Sequence, residues 1–195
     1  MNIVTILLFF IYMWGFGFTA TNWLKNNINP LERNLIRIGI GMGVFVMVGV
    51  LMNLVHIPLD WKIFLALSLV YPLMCLYKSV RHNTFKIPKL TLTKTNLTIL
   101  GAVLIFFVCL SMYAGGAFKY PYLEDDDPWE HANSVKYIAI EKTLNSPDNY
   151  EFKYLDPYPP GYNLMMGVLH QTSPSMMWTL KFFNGLMLAL GILFF

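Results

Sequence analysis

The chain has 195 residues, of which 56% are hydrophobic and only 13% charged, with a net charge of +3 and a mean hydropathy of +0.50. A soluble globular domain is about a quarter charged, so this composition excludes one and indicates an all-α integral membrane protein. The net charge is too small for a nucleic-acid surface, and Cys75 and Cys109, both inside apolar runs, offer neither a disulfide framework nor a thiolate metal site.

Five apolar stretches reach the roughly 20 residues needed to cross a hydrocarbon core: 3–20, 35–57, 61–80, 97–118 and 175–195. The first has no basic residue before it and no small-residue cleavage site after it, so it reads as a span and not as a signal peptide. Lys25, Arg33 and Arg37 follow it. Gly39, Gly41, Gly43 and Gly49 in the second stretch predict close helix packing. Between the third and fourth lie Lys78, Arg81, Lys86, Lys89 and Lys94, with no acid among them. Short loops that retain Lys and Arg stay cytoplasmic. Alternation then puts the amino terminus, the turn at 56–60 and the long connection 119–174 on the outer side, with the plasma membrane as the expected location. Asn96-Leu97-Thr98 matches a glycosylation acceptor but falls on the cytoplasmic side.

The long outer loop is expected to contain two juxtamembrane helices. Asp127 before Pro128 reads as a cap and first-turn pair for a helix over 128–144, with Trp129, Ala132, Val135, Ala139 and Thr143 on one face. Asn145, Pro147 and Asp148 end it. Residues 161–172 are apolar and helical in pattern but too short to cross. Pro174 opens the last span, which runs to Phe195 with no polar flank, an ending expected of the amino-terminal part of a longer protein. Two units are expected: a three-span module over 1–96 with its basic cytoplasmic loop, and a second unit over 97–195.

The densest chemistry lies in Tyr120-Pro-Tyr-Leu-Glu-Asp-Asp-Asp-Pro-Trp-Glu-His131. Glu124, Asp125, Asp126, Asp127 and Glu130 repel one another, which a sequence tolerates in a solvated loop or where a cation or a proton-transfer task gathers them. Charge alone does not choose between those readings. On a helix Asp127 and His131, four apart, share a face, with Glu130 beside them. Oxygen donors with one imidazole suit Mg²⁺ or Mn²⁺, so Asp127, Asp126 and His131 are the candidate metal ligands.

Asp-Asp-Asp127-Pro-Trp-Glu-His-Ala-Asn-Ser-Val-Lys-Tyr-Ile resembles the first acidic motif of membrane glycosyltransferases of the GT-C superfamily, in particular that of the oligosaccharyltransferase catalytic subunit. The resemblance makes Asp127, with Asp126, the catalytic and metal-binding carboxylates, and Glu130, His131 and Tyr158 the substrate-binding residues. Tyr158-Pro-Pro-Gly-Tyr162 is similar to the His-Pro-Pro-Leu segment of protein O-mannosyltransferases and lipid A aminoarabinose transferases, with Tyr158 where those carry His. It covers 97–195, while the three preceding spans and the missing second acidic motif depart from the family pattern. The implied activity is sugar transfer from a polyprenyl-phosphate or diphosphate donor to an acceptor on the outer face. Asp127 either holds a cation against the leaving phosphate or takes the acceptor proton as a base. His131 is a ligand, a proton carrier or an outer partner of Asp127.

A reading from another class is a non-enzymatic membrane protein whose outer acidic loop binds a cation for transport or assembly. Transport sites place ionisable groups near the midplane, and these spans hold almost none. Tyr120, Tyr122, Tyr150, Tyr154, Tyr158 and Tyr162 fit an interfacial belt as readily as a sugar groove. Lys136 and Lys153 read as solvated or snorkelling, and His56 and His170 as interfacial.

Overall fold

The computed structural model describes residues 2–23, 29–84, 93–147, 155 and 158–194, in which seven α-helices follow one another without a strand. Lys25, Lys86, Lys89, Asp148, Tyr150, Lys153, Tyr154 and Phe195 lie outside the described residues. The helices are α1 Ile3–Ala20, α2 Pro30–Leu54, α3 Trp61–Arg81, α4 Lys94–Ala117, α5 Asp126–Glu141, α6 Gly161–His170 and α7 Met176–Phe194. Five of them, α1 to α4 and α7, are long and apolar enough to span a bilayer, which makes this a multi-pass membrane protein.

Helix starts follow capping chemistry and not the edge of the apolar run. The second helix begins at Pro30, five residues before the predicted span, because the Asn29 side chain accepts from the Leu31 N–H at 3.0 Å and Pro30 has no donor to satisfy. In the same way Thr93 Oγ1 accepts from the Asn96 N–H at 3.2 Å and starts α4 at Lys94. The Asp60 carboxylate accepts from the Lys62 N–H at 2.8 Å and caps α3.

The first helix is the hub. A Cβ on Gly17 would collide with the Arg37 carbonyl, and one on Gly41 with the Met13 carbonyl, so α1 and α2 cross backbone against backbone at two glycines, one from each helix. On its other side a Cβ on Gly15 would strike the Ser68 carbonyl of α3. The predicted glycine packing therefore holds at Gly41, and at Gly49, which faces Leu164. Gly43 has open space around it. Beside the crossing, Phe45 stacks on Phe64 with ring centroids 4.5 Å apart, and Tyr12 packs against both. The Tyr12 hydroxyl donates to the Trp61 carbonyl at 3.0 Å.

The bundle has two chemically different ends. At one, the Asn29 side-chain amide donates to Asn96 at 2.6 Å, and Arg37 lies 4.4 Å over the Phe18 ring. At the other, Asn2 and Thr5 donate to the Thr172 carbonyl, while Gln171 donates to the Leu59 carbonyl at 2.7 Å and accepts from the Trp61 N–H at 3.0 Å. The fifth and sixth helices are built onto this second end. The seventh returns antiparallel to α4, with Lys181 at the end of α4 and Gly185 against Tyr113.

Two expectations for the connection between α4 and α7 need correction. The first helix there is Asp126–Glu141, not 128–144, and its cap is Asp125 in place of Asp127. Asp125 is extended and its carboxylate accepts from the Asp126 N–H at 2.8 Å. Pro128 fits inside the first turn because the leading N–H groups of a helix have no intrahelical acceptor. The helix ends when Lys142 turns left-handed, φ 57° and ψ 35°, before the predicted stop residues. Its buried face is Ala132, Val135 and Ile138, whereas Trp129 is exposed. The second correction concerns α6, which is no surface helix: residues 163–169 are all buried, and Gly167 lies so close to Ile138 that a Cβ there would come within 2.6 Å of it.

If the α1 and α2 crossing needs its glycines, Gly41→Ala should destabilise the detergent-solubilised protein by about 1–3 kcal/mol through overpacking. Gly43→Ala, in open space, should leave stability unchanged or raise it by about 0.5–1 kcal/mol. Thermal unfolding of the two variants side by side checks this; equal midpoints would remove the crossing from its structural role.

Candidate functional site

The acidic segment is held by its neighbours at both ends of α5. Before it, the Trp129 indole donates to the Leu123 carbonyl at 3.2 Å, and buried Leu123 anchors the strand of chain that carries Glu124. After it, Lys142 is clasped to the α2 and α3 turn: its ammonium pairs with Asp60 at 2.5 Å and its carbonyl accepts from the Leu59 N–H at 2.8 Å. Asn53 adds three bonds there, accepting from Thr143 and from the Leu144 N–H and donating to Asn145. The hydrogen bond from Lys142 holds the Asp60 carboxyl below its ordinary pKa, with the Lys62 N–H and the two lysine charges assisting against burial.

Within α5 the first turn carries Asp126 and Asp127 at the positive end of the helix dipole. One turn on, His131 Nε2 lies 4.0 Å from Asp127 Oδ2, too long for a direct hydrogen bond. The other ring nitrogen, Nδ1, is 2.8 Å from Oδ1 of Asn163, a fully buried residue of α6. Tyr158 and Tyr162 meet the imidazole edge to face, at centroid distances of 5.8 and 5.1 Å. The ring is thus fixed on three sides while 62% of the Asp127 side chain is exposed. Burial pushes the Tyr162 hydroxyl up to about 12, partly offset by its hydrogen bond with Asn184, so it remains a proton-bearing donor at neutral pH.

Asp127 and His131 stand at the rim of a cavity of about 700 Å³. Its polar lining adds Glu124, Tyr158, Lys181 and Asn184. Its apolar lining runs along the seam between α4 and α7, through Tyr113, Gly116, Leu180, Gly185 and Leu188. Lys181 stands where the two linings meet. Its ammonium donates to the carbonyls of Ala117 at 2.8 Å and Tyr120 at 2.6 Å, closing the end of α4.

Of the residues singled out from sequence, Asp127, His131 and Tyr158 are brought together at this cavity, while Asp126 and Glu130 are not among its lining residues. Among the described residues no three His, Cys, Asp or Glu side chains converge as one ion would require, so Asp127, Asp126 and His131 are not gathered into a ligand set. Lys181, Asn163, Tyr162 and Asn184 carried no weight in the sequence reading. Lys181 had a signal there, a lone cation in an apolar span; Asn163 and Asn184 had none, being single amides in apolar runs. His170, read as interfacial, is partly buried with Nδ1 3.3 Å from Thr179 Oγ1, and burial, then Lys136, lowers its pKa. No protein-family model, curated protein or solved structure matches the chain.

The Asp60 clasp gives a pH dependence of defined sign. A carboxyl whose folded pKa is depressed contributes stability that is fully present above its unfolded value and is lost as pH falls through the folded value. Protection of α5 amides from hydrogen exchange, constant near neutrality, should therefore drop below about pH 4. In Asp60→Asn the protection should be lower at pH 7 and its acid dependence shallower. An identical acid profile in that variant would show that the clasp does not hold α5.

Proposed function

We propose that this protein is a membrane glycosyltransferase of the GT-C type, taking a sugar from a polyprenyl-phosphate or diphosphate donor and passing it to an acceptor on the outer face of the membrane. One observation supports it above the others: the cavity that carries Asp127 and His131 continues without a break into the apolar α4 and α7 seam. An amphiphile with a polar head and a hydrocarbon tail matches that division, the tail lying in the seam and the head among Glu124, Asp127, His131 and Asn184. The acidic motif resemblance points to the same donor class.

In this reading the acceptor oxygen attacks the anomeric carbon while the bond from that carbon to the phosphate oxygen breaks, its electron pair leaving with the phosphate. Lys181, at the boundary between polar and apolar linings, supplies positive charge near the departing phosphate, its reach limited by the two carbonyls it holds. Asp127 faces the cavity and orients or deprotonates the acceptor. A divalent cation, where the family's chemistry uses one, would meet Asp127 and His131, and when bound it would neutralise leaving-group charge. Asp126 and Asp125 belong instead to the solvated start of α5, Asp125 as its cap.

Asp127→Asn keeps size and removes charge, so in the complete protein it should lower transfer by about 100-fold or more. Asp126→Asn should change transfer far less, and Asp125→Ala should act mainly by costing about 1 kcal/mol of helix capping. Transfer assays with a polyprenyl-linked sugar donor, run beside expression and insertion controls, test the series. Uniform, near-normal rates would leave the acids as a solvated or cation-binding loop.

The side of the membrane has its own test. In a background with Cys75 and Cys109 replaced by alanine, Glu124→Cys should react with a membrane-impermeant thiol reagent in intact cells and Thr84→Cys should not. The reverse pattern would turn the cavity toward the cytoplasm, away from an outer-face acceptor.

A further inference from the structure

The geometry points to Asn163 as the positioning residue that holds His131 in its Nδ1–H tautomer, so that the Nε2 lone pair and the Asp127 carboxylate face one gap at the cavity rim. Two independent distances carry this. Asn163 Oδ1 lies 2.8 Å from Nδ1, and a carbonyl oxygen can only accept, so the proton of that bond belongs to Nδ1. A neutral imidazole then has its lone pair on Nε2. The second distance agrees. A proton on Nε2 would draw the Asp127 carboxylate into a charge-assisted bond of about 2.7–2.9 Å, whereas Nε2 and Oδ2 stand 4.0 Å apart, the separation of two acceptors that do not bond to each other.

The arrangement is built to hold. Asn163 is 1% exposed and comes from α6, which is buried along its length, while the imidazole is packed by Tyr158 and Tyr162. Rotation of the ring would expel Nδ1 from its acceptor and bury an unpaired amide oxygen. Two acceptors across a 4.0 Å gap select a hydrogen-bond donor, since an oxygen placed between them reaches both at about 2.8 Å. On the glycosyltransferase reading, on which this last step alone rests, that donor is the attacking hydroxyl of the acceptor. Asn163 thereby decides what kind of group the rim takes, without touching it.

The tautomer is read directly from the ring ¹⁵N shifts of His131 in the full protein in detergent, with a His131→Gln sample to assign it among the four histidines and no donor or acceptor present. The neutral ring should show a protonated Nδ1 and a lone-pair Nε2. Asn163→Asp, whose carboxylate is an acceptor only, should keep that pattern, and Asn163→Leu should lose it toward a mixture of tautomers. A proton on Nε2 in the unmodified protein, or a switch of tautomer in Asn163→Asp, would mean that the amide donates to Nδ1 and would overturn the assignment. Should Asn163→Leu fail to fold, the Asp variant and the unmodified protein still decide it. Lack of sugar transfer with the tautomer pattern intact would count against the glycosyltransferase reading and not against the role of Asn163.

Discussion

Close contact between the backbones of α1 and α2 sets the geometry on which the rest of the protein builds. In a bilayer, lipid tails solvate leucine as well as another helix does, so helices associate through close packing and polar ties more than through hydrophobic exclusion. Gly17 and Gly41 let each helix approach the other's carbonyls, and Gly15 lets α3 do the same from the opposite side. The crossing brings Tyr12, Phe45 and Phe64 into one aromatic cluster and fixes the height at which the α2 and α3 turn emerges.

That turn is the fixed point for the chemistry. Asp60 serves twice, one carboxylate oxygen capping α3 and the other holding Lys142. Lys142 in turn adopts a left-handed conformation that costs a non-glycine residue about a kcal/mol, offset by its ion pair and by the bond from Leu59. The result is that α5 stops at a defined residue with its axis set, and its other end carries Asp127 and His131 to the mouth of the α4 and α7 seam. Burial of α6 against α2 and α5 then places Asn163 and Tyr162 behind the imidazole.

The cavity is therefore assembled from pieces with different duties. The acids at 124–127 are mostly exposed, and only Glu124 and Asp127 face the cavity. Lys181 keeps its charge close to the membrane boundary by bonding two carbonyls at the end of α4, where a cation also meets the negative end of the helix dipole. A site of this kind separates the polar and apolar parts of a ligand before any reaction begins.

Sequence alone determined the membrane class, five spans within a few residues, the presence of two further helices, and the Asp127 and His131 pair, because apolar run length and the i, i+4 spacing are local properties. It erred where a nearer competitor was available: Asp125 won the cap from Asp127, and a left-handed Lys142 ended α5 ahead of Asn145 and Pro147. Only the tertiary structure decided which acids face the cavity, that Gly41 and not Gly43 carries the crossing, and that Lys181, Asn184 and Asn163 join the site. Those facts depend on the rotation of one helix against another, which comes from contacts between residues far apart in the chain. A single lysine or asparagine in an apolar run looks the same on either face of its helix until a neighbour is packed against it.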